Sequence, residues 1–344
     1  DRAKSFSSKP AVVALGHGVP EVITAVARHD GVIRPRVSLV KVLASALCIG
    51  TGGSVGREGP IVQIGSSLGS AAGQTFRLSA PNIKVFVASG AAAGISATFN
   101  APLAGVIFAS EIILGSFAVE SMTPIVIASV LSNVVQTHIG EYGLNAAFPD
   151  VGYRYVGSWA QLPSYLLLGL CCGIAAVTFV KLLYWIEDLG QKYLPNVLVR
   201  AVVMGLIVGL FGVLYPMHPP AGESEHGTPP LFGVGYPVVE HVLHLRSVDE
   251  APDGPPQDDV SVPLAASETT GATVEPARDR GIYLSREQMV KELWWILPLA
   301  FLKPILTSIT LSGGGSGGVF APSLFLGATL GGAFGLIANL VAPE

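Results

Sequence analysis

The sequence predicts an all-α integral membrane protein, a bundle built from two repeats whose helices are broken and re-entrant. Three observations carry this. Half of the residues are hydrophobic and only 13% are charged, where a soluble domain carries roughly a quarter; the mean hydropathy is +0.56. The 41 glycines and 25 prolines suit close helix contacts and interrupted helices in a bilayer. One glycine-rich pattern also occurs twice.

The first copy, GGSVGREGPIVQIGSSLG from Gly52 to Gly69, sets the charged pair Arg57 and Glu58 in apolar surroundings. Pro60 suits the first turn of a helix, where its missing N–H is not needed. Glycines before it let the backbone approach closely, so Gly56 to Pro60 reads as a helix start whose free N–H groups face a cavity. Such an end attracts anions, and Glu58 is placed to occupy that site with its own carboxylate. The second copy, GGSGGVFAPSLFLGATLG from Gly314 to Gly331, repeats the pattern at one constant offset and without a gap: Gly53/Gly315, Ser54/Ser316, Gly56/Gly318, Pro60/Pro322, Gly65/Gly327, Leu68/Leu330 and Gly69/Gly331. Two broken-helix entries of this kind mark a transporter whose site lies where two repeats meet.

Composition excludes other classes. A net charge of −4 offers no basic surface to nucleic acid. Cys48, Cys171 and Cys172 lie in apolar segments and read as small core residues, with no metal and no cofactor expected. A nucleotide-binding enzyme would use the loop at Gly50–Gly56, but that loop lacks a good GxGxxG match and the acidic residue that should follow it on a strand. A membrane protein with no permeation function is the remaining alternative.

In chain order, residues 1–10 form a polar tail. GHGVPEV, Gly16 to Val22, is a glycine-bracketed turn whose proline can open a helix; taken alone, a surface turn is the plainer reading. Apolar segments follow at about 38–51, 61–75, 85–99, 102–118, 121–138, 163–186 and 197–215. Several fall short of the roughly 20 residues a straight span needs, so some are tilted, re-entrant or meet head to head. Lys41, Lys84, Glu111 and Lys181 are expensive in lipid and are expected to face the interior or an interface. The chain divides into 1–215, a first membrane repeat with the start of the second; 216–284, an acidic, Pro-rich and partly disordered insert; and 285–344, second-repeat helices. The insert carries Asp249, Glu250, Asp253, Asp258 and Asp259 and too little apolar surface to fold alone, although Leu231 to Leu243 is apolar enough to order against the core. Ser285 with Gln288 fits a capping box. Trp294 and Trp295 suit a membrane-interface position, and a last helix runs from Val319 to about Val341.

Four separated stretches, GHGVP (16–20), GREGP (56–60), FNAPLAG (99–105) and GGVFAP (317–322), resemble the anion-site and core motifs of the CLC chloride channels and chloride/proton antiporters. The resemblance covers the chain except the insert. It implies a CLC-type inverted-repeat bundle, a homodimer with one pore per subunit, and residence in a plasma or inner membrane. Its partners are then chloride or other small anions, protons and the bilayer. It also implies that the chain is a fragment, without the family's extreme N-terminal helix and its last helices with their pore-lining tyrosine. Glu58 corresponds to the gating glutamate, and the backbone N–H groups of Val319 and Phe320 to the central anion site. Gly16, His17 and Gly18 take the inner gate position, with Arg57 and Gly59 beside the anion. Two positions depart from the family. His17 stands where serine is usual, which bears on which anion binds, since imidazole donates a hydrogen bond or carries charge. Ile112 stands where the antiporters carry a proton-transfer glutamate, leaving Glu111 next door as the candidate proton-path residue. Passive or weakly coupled anion conduction gated by Glu58 is the leading expectation, and coupled chloride/proton antiport the alternative.

Overall fold

The computed structural model describes residues 16–139, 162–220, 229–247 and 282–341. The polar tail and the acidic run Asp249 to Asp259 lie outside them. The described chain folds into helices α1 (Val19–Arg28), α2 (Arg36–Gly50), α3 (Glu58–Thr75), α4 (Ala80–Phe99) and α5 (Pro102–Phe108). They are followed by α6 (Val119–Ile139), α7 (Leu162–Tyr193), α8 (Val197–Leu214), α9 (Tyr236–Leu243), α10 (Arg286–Ser312) and α11 (Phe320–Val341). Two short parallel strands, β1 (Leu245–Ser247) and β2 (Ile282–Leu284), pair in register from Leu245 against Ile282.

Proline at the first or second position opens α1, α4, α5 and α9, where it removes no helical hydrogen bond. Asn100 in the left-handed conformation closes α4, and Ser285 opens α10 through the expected capping box. The predicted segment 102–118 does not form one helix. It passes from α5 into a π-helical turn, Ala109–Leu114, and ends at Gly115 with φ of 65°.

Among the described residues, five helices are long and apolar enough to cross a membrane, namely α7, α8, α10, α11 and the Val119–His138 stretch of α6. Leu166, Leu170, Ile174 and Val177 along α7 are exposed, which fits lipid as their solvent. Inside the bundle, α3 packs on α4 through glycines. A β-carbon at Gly65 would meet the Gly90 carbonyl, and one at Gly69 the Phe86 carbonyl, so the two backbones touch as small residues allow in membranes.

Two apolar cores follow the two halves. One gathers Val62, Val87, Ala91, Val106 and Ile125 around α4. The other gathers Leu231, Val238, Val242, Leu299 and Phe325 around α10. Residues 231–243, expected to order against the core from within the insert, pack into this second core. Trp294 is exposed as expected, but Trp295 is buried and donates its indole N–H to the Pro216 carbonyl at 3.3 Å.

The two halves repeat each other in backbone detail. Helix α2 ends at Gly50 and α10 at Ser312, while α3 begins at Glu58 and α11 at Phe320, and both pairs keep the offset of the sequence repeat. Between them, Gly52 and Gly314 take φ of 94° and 91°. Gly53 N–H donates to the Cys48 carbonyl at 2.8 Å, and Gly315 N–H to the Thr310 carbonyl at 2.9 Å.

Candidate functional site

The breaks between α2 and α3 and between α10 and α11 meet at the centre of the molecule. Gly56 N–H donates to the Gly318 carbonyl at 2.8 Å, and Gly318 N–H returns the bond to the Gly56 carbonyl at 2.7 Å. The turn at Gly16–Gly18 closes on the same point. Gly16 forms a parallel bridge with Ser316, and a β-carbon at Gly18 would lie 2.5 Å from the Gly59 carbonyl oxygen. With φ of 102° at Gly16 and 93° at Gly18, this turn is shaped by glycine and is no surface turn.

Helix α3 has no side-chain cap, and Pro60 has no N–H. Among the described residues no group accepts from the backbone N–H of Gly59, Val319 or Phe320. Two helix starts thus bring unpaired donors and their positive dipole ends together. The Glu58 carboxylate sits in this region, 1% exposed. It folds back over Gly56, whose β-carbon would meet its Oε2, and its Oε1 accepts from the Tyr236 hydroxyl. The partly buried Arg57 guanidinium lies 5.7 Å from the Tyr236 ring centroid. His17 is partly buried, with its backbone carbonyl against Gly59 and its Nδ1 buried without a hydrogen-bond partner. Phe320 is 43% exposed and packs edge-on against Phe99.

The fold therefore brings together Gly16, His17, Gly18, Arg57, Glu58, Gly59, Val319 and Phe320. It does not bring Glu111 to them: Glu111 lies in the π-helical turn with its side chain exposed, as Ile112 is. Lys181 is also exposed, and Lys84 pairs with exposed Asp30 at 3.5 Å. Lys41 is the one residue of that predicted set to be fully buried, donating to the Gly16 carbonyl at 2.8 Å.

Two residues of the site escaped the sequence reading. Tyr236 heads α9 from the turn GVGYP, 233–237, which repeats GHGVP at 16–20. Gly233 and Gly235 take positive φ as Gly16 and Gly18 do. Lys303, the counterpart of Lys41 at the repeat offset, is fully buried and donates to the Leu231, Phe232 and Gly233 carbonyls at 3.2, 3.4 and 2.8 Å. The second GxGxP was the available signal. Beside Tyr236 opens a cavity of about 590 Å³ lined by Arg57, Tyr236, Phe232, Met217, His241 and Trp295.

The model of the voltage gated chloride channel family, Voltage_CLC, matches residues 5–344. The chain belongs to the CLC family. It is 29% identical over 332 residues to a putative chloride channel protein ClcB-like of Ralstonia nicotianae, covering 95% of this chain and 63% of the relative. It is 29% identical over 335 residues to the H(+)/Cl(-) exchange transporter ClcA of Salmonella paratyphi B, covering 96% of this chain and 59% of the relative. The fold matches a slow cyanobacterial Cl⁻/H⁺ antiporter with a TM-score of 0.67 and 21% identity, over 99% of this chain and 67% of that one. The chain thus spans about three fifths of the length of these curated relatives. It is a multi-pass membrane protein of the CLC fold.

Proposed function

We propose that this CLC chain carries chloride or a similar small anion across the membrane through the point where the two repeats meet, with Glu58 as a protonatable gate. One observation carries the reading: a buried carboxylate lies at the junction of two helix starts whose backbone N–H groups at Gly59, Val319 and Phe320 have no acceptor among the described residues. Roughly half a positive charge at each helix start attracts an anion by about 0.3–2 kcal/mol, weakly enough for the ion to leave again. Glu58, while charged, competes with the anion for those donors; protonated or displaced, it yields them. Val319 and Phe320 would contribute backbone N–H groups, with Gly59 and Arg57 beside the anion. Gly16, His17 and Gly18 would line the far side.

Coupled exchange of chloride for protons is the second reading, supported by the name of the ClcA relative. The exposed positions of Glu111 and Ile112 favour passive or weakly coupled conduction through this chain's own residues. A homodimer with one pore per subunit is part of the same proposal. The test is chloride efflux from liposomes carrying the full-length protein. Glu58→Gln, which cannot carry the charge, raises efflux and removes most of its pH dependence. Equal efflux with the same pH response in both proteins would refute the gate.

A further inference from the structure

The glycine-led breaks and turns of the two halves share their backbone, but behind them, outside both repeat motifs, the side chains differ. His241 on α9 lies on the wall of the 590 Å³ cavity. Its Nε2 is 3.5 Å from Oε2 of Glu292 on α10, with side chains 12% and 0% exposed. The Trp295 ring packs edge-on against the imidazole at 5.8 Å. In the first half the matching positions are Thr24, exposed on α1, and Asp30, whose side chain is 71% exposed and faces Lys84. A fully buried carboxylate held against an imidazole sets a proton donor and a proton acceptor side by side. Among the described residues the first half has no such pair at the matching positions.

The geometry points to a proton relay: His241 and Glu292 pass protons through the cavity to Tyr236 and Glu58. The inference rests on the anion-pathway reading and adds its proton route. Tyr236 and His241 line one cavity, which has room for several waters, and the Tyr236 hydroxyl already donates to Glu58. With Nε2 turned to Glu292, a proton leaving the imidazolium from Nδ1 passes through cavity water to the phenol oxygen as the phenol's own proton moves to the Glu58 carboxylate. The phenol is restored, Glu58 is neutral, and His241 returns to neutral imidazole beside Glu292. No electrons move and no co-reactant is consumed. Among the described residues, the charged or titratable groups around His241 include Glu292 from α10, Arg57 across the cavity at the head of α3, Tyr215, whose hydroxyl donates to the carbonyl of the neighbouring Trp295, and Tyr236, Glu240 and His244 on α9 itself or at its end. His244 is turned to the Glu240 carbonyl through its Nδ1 at 2.7 Å. Glu292 is thus the acid partner, and Arg57 keeps the cavity wall positive between relay and gate.

The experiment records chloride and proton fluxes together, from liposomes holding the full-length protein under an imposed chloride gradient. His241→Gln and Glu292→Gln each lower proton flux by at least about tenfold, the lower end for loss of a proton-transfer group, and chloride flux by clearly less, because the anion still displaces the charged Glu58, so the proton-to-chloride ratio falls. Glu292→Asp restores part of the proton flux. A packing role alone would lower both fluxes together, and an unchanged proton-to-chloride ratio in both Gln variants overturns the relay. If Glu292→Gln does not fold, His241→Gln decides alone, since its side chain reaches the cavity. Chloride flux without proton flux in the unaltered protein overturns the relay and leaves the anion pathway standing. Absence of chloride flux overturns the pathway reading, and the relay with it.

Discussion

Lys41 and Lys303 occupy matching positions in the two halves, both fully buried, and each turns its ammonium onto the glycine turn that leads a helix of its own half. The ammonium is the fixed point of each turn. It holds carbonyls that would otherwise face the apolar interior, so the N–H side of the turn is left toward the centre. The loads differ, because Lys303 serves three carbonyls and Lys41 one. An unpaired buried acceptor costs about 1–3 kcal/mol. Lys303→Met therefore lowers the melting temperature of purified protein more than Lys41→Met does. Equal losses would mean that the carbonyls at 231–233 find other donors.

Tyr236 links the second half to Glu58 of the first. A hydrogen bond to a charged group is worth about 1.5–3 kcal/mol, so Tyr236→Phe releases the carboxylate from its docked position. Chloride efflux then rises by about tenfold or more, following the lost stabilisation of the closed state. In a Glu58→Gln background the same change has little effect, because the charged acceptor is gone. A double-mutant cycle on efflux reads this coupling directly; additive effects would place Tyr236 outside the gate.

The break, the repeat and most helices were legible because glycine and proline act locally. Each helix start from α3 to α8 lies within a few residues of an expected apolar segment, and GREGP announces its own turn. The contact between Glu58 and Tyr236 was not legible. GVGYP follows GHGVP at a shorter spacing than the one between the two longer motifs, because the second half carries extra chain between α9 and α10. Trp295 misled for a different reason. Its neighbour Trp294 is exposed, and sequence periodicity does not say that the cavity wall around His241 takes one indole of the pair. Glu111 was singled out as an ionisable residue among apolar ones, but direction around a π-helical turn follows from hydrogen-bond register, which the residues alone do not display.

His17 tests selectivity. Its Nδ1 is buried without a partner, and its backbone carbonyl abuts Gly59, so in the proposed pathway its Nδ1 gives up no hydrogen bond of the fold to meet an anion. His17→Ser shifts the relative permeabilities of chloride, nitrate and fluoride in liposome flux assays while leaving the protein's melting temperature nearly unchanged. Unaltered ratios would remove His17 from the pathway.

The last prediction concerns Gly318, where backbone meets backbone. A β-carbon there would lie 2.8 Å from Gly59 N, 3.2 Å from Gly59 Cα and 3.5 Å from the Gly56 carbonyl oxygen. None of these atoms is the end of a flexible side chain, so nothing can swing aside, and the helix starts must separate. Separation also breaks the two reciprocal hydrogen bonds between Gly56 and Gly318. Val319 is next in sequence but only partly buried, and in this reading it contributes through its N–H. Its side chain can grow without moving the donors. Gly318→Val therefore abolishes chloride binding measured by calorimetry on folded protein, whereas Val319→Ile keeps the affinity within a few-fold. Gly318→Ala is the gentler version, and it also weakens binding strongly, because a single carbon already collides. Normal binding by either Gly318 variant, or equal loss at both positions, would mean that the anion is held by side chains and not by the paired helix starts.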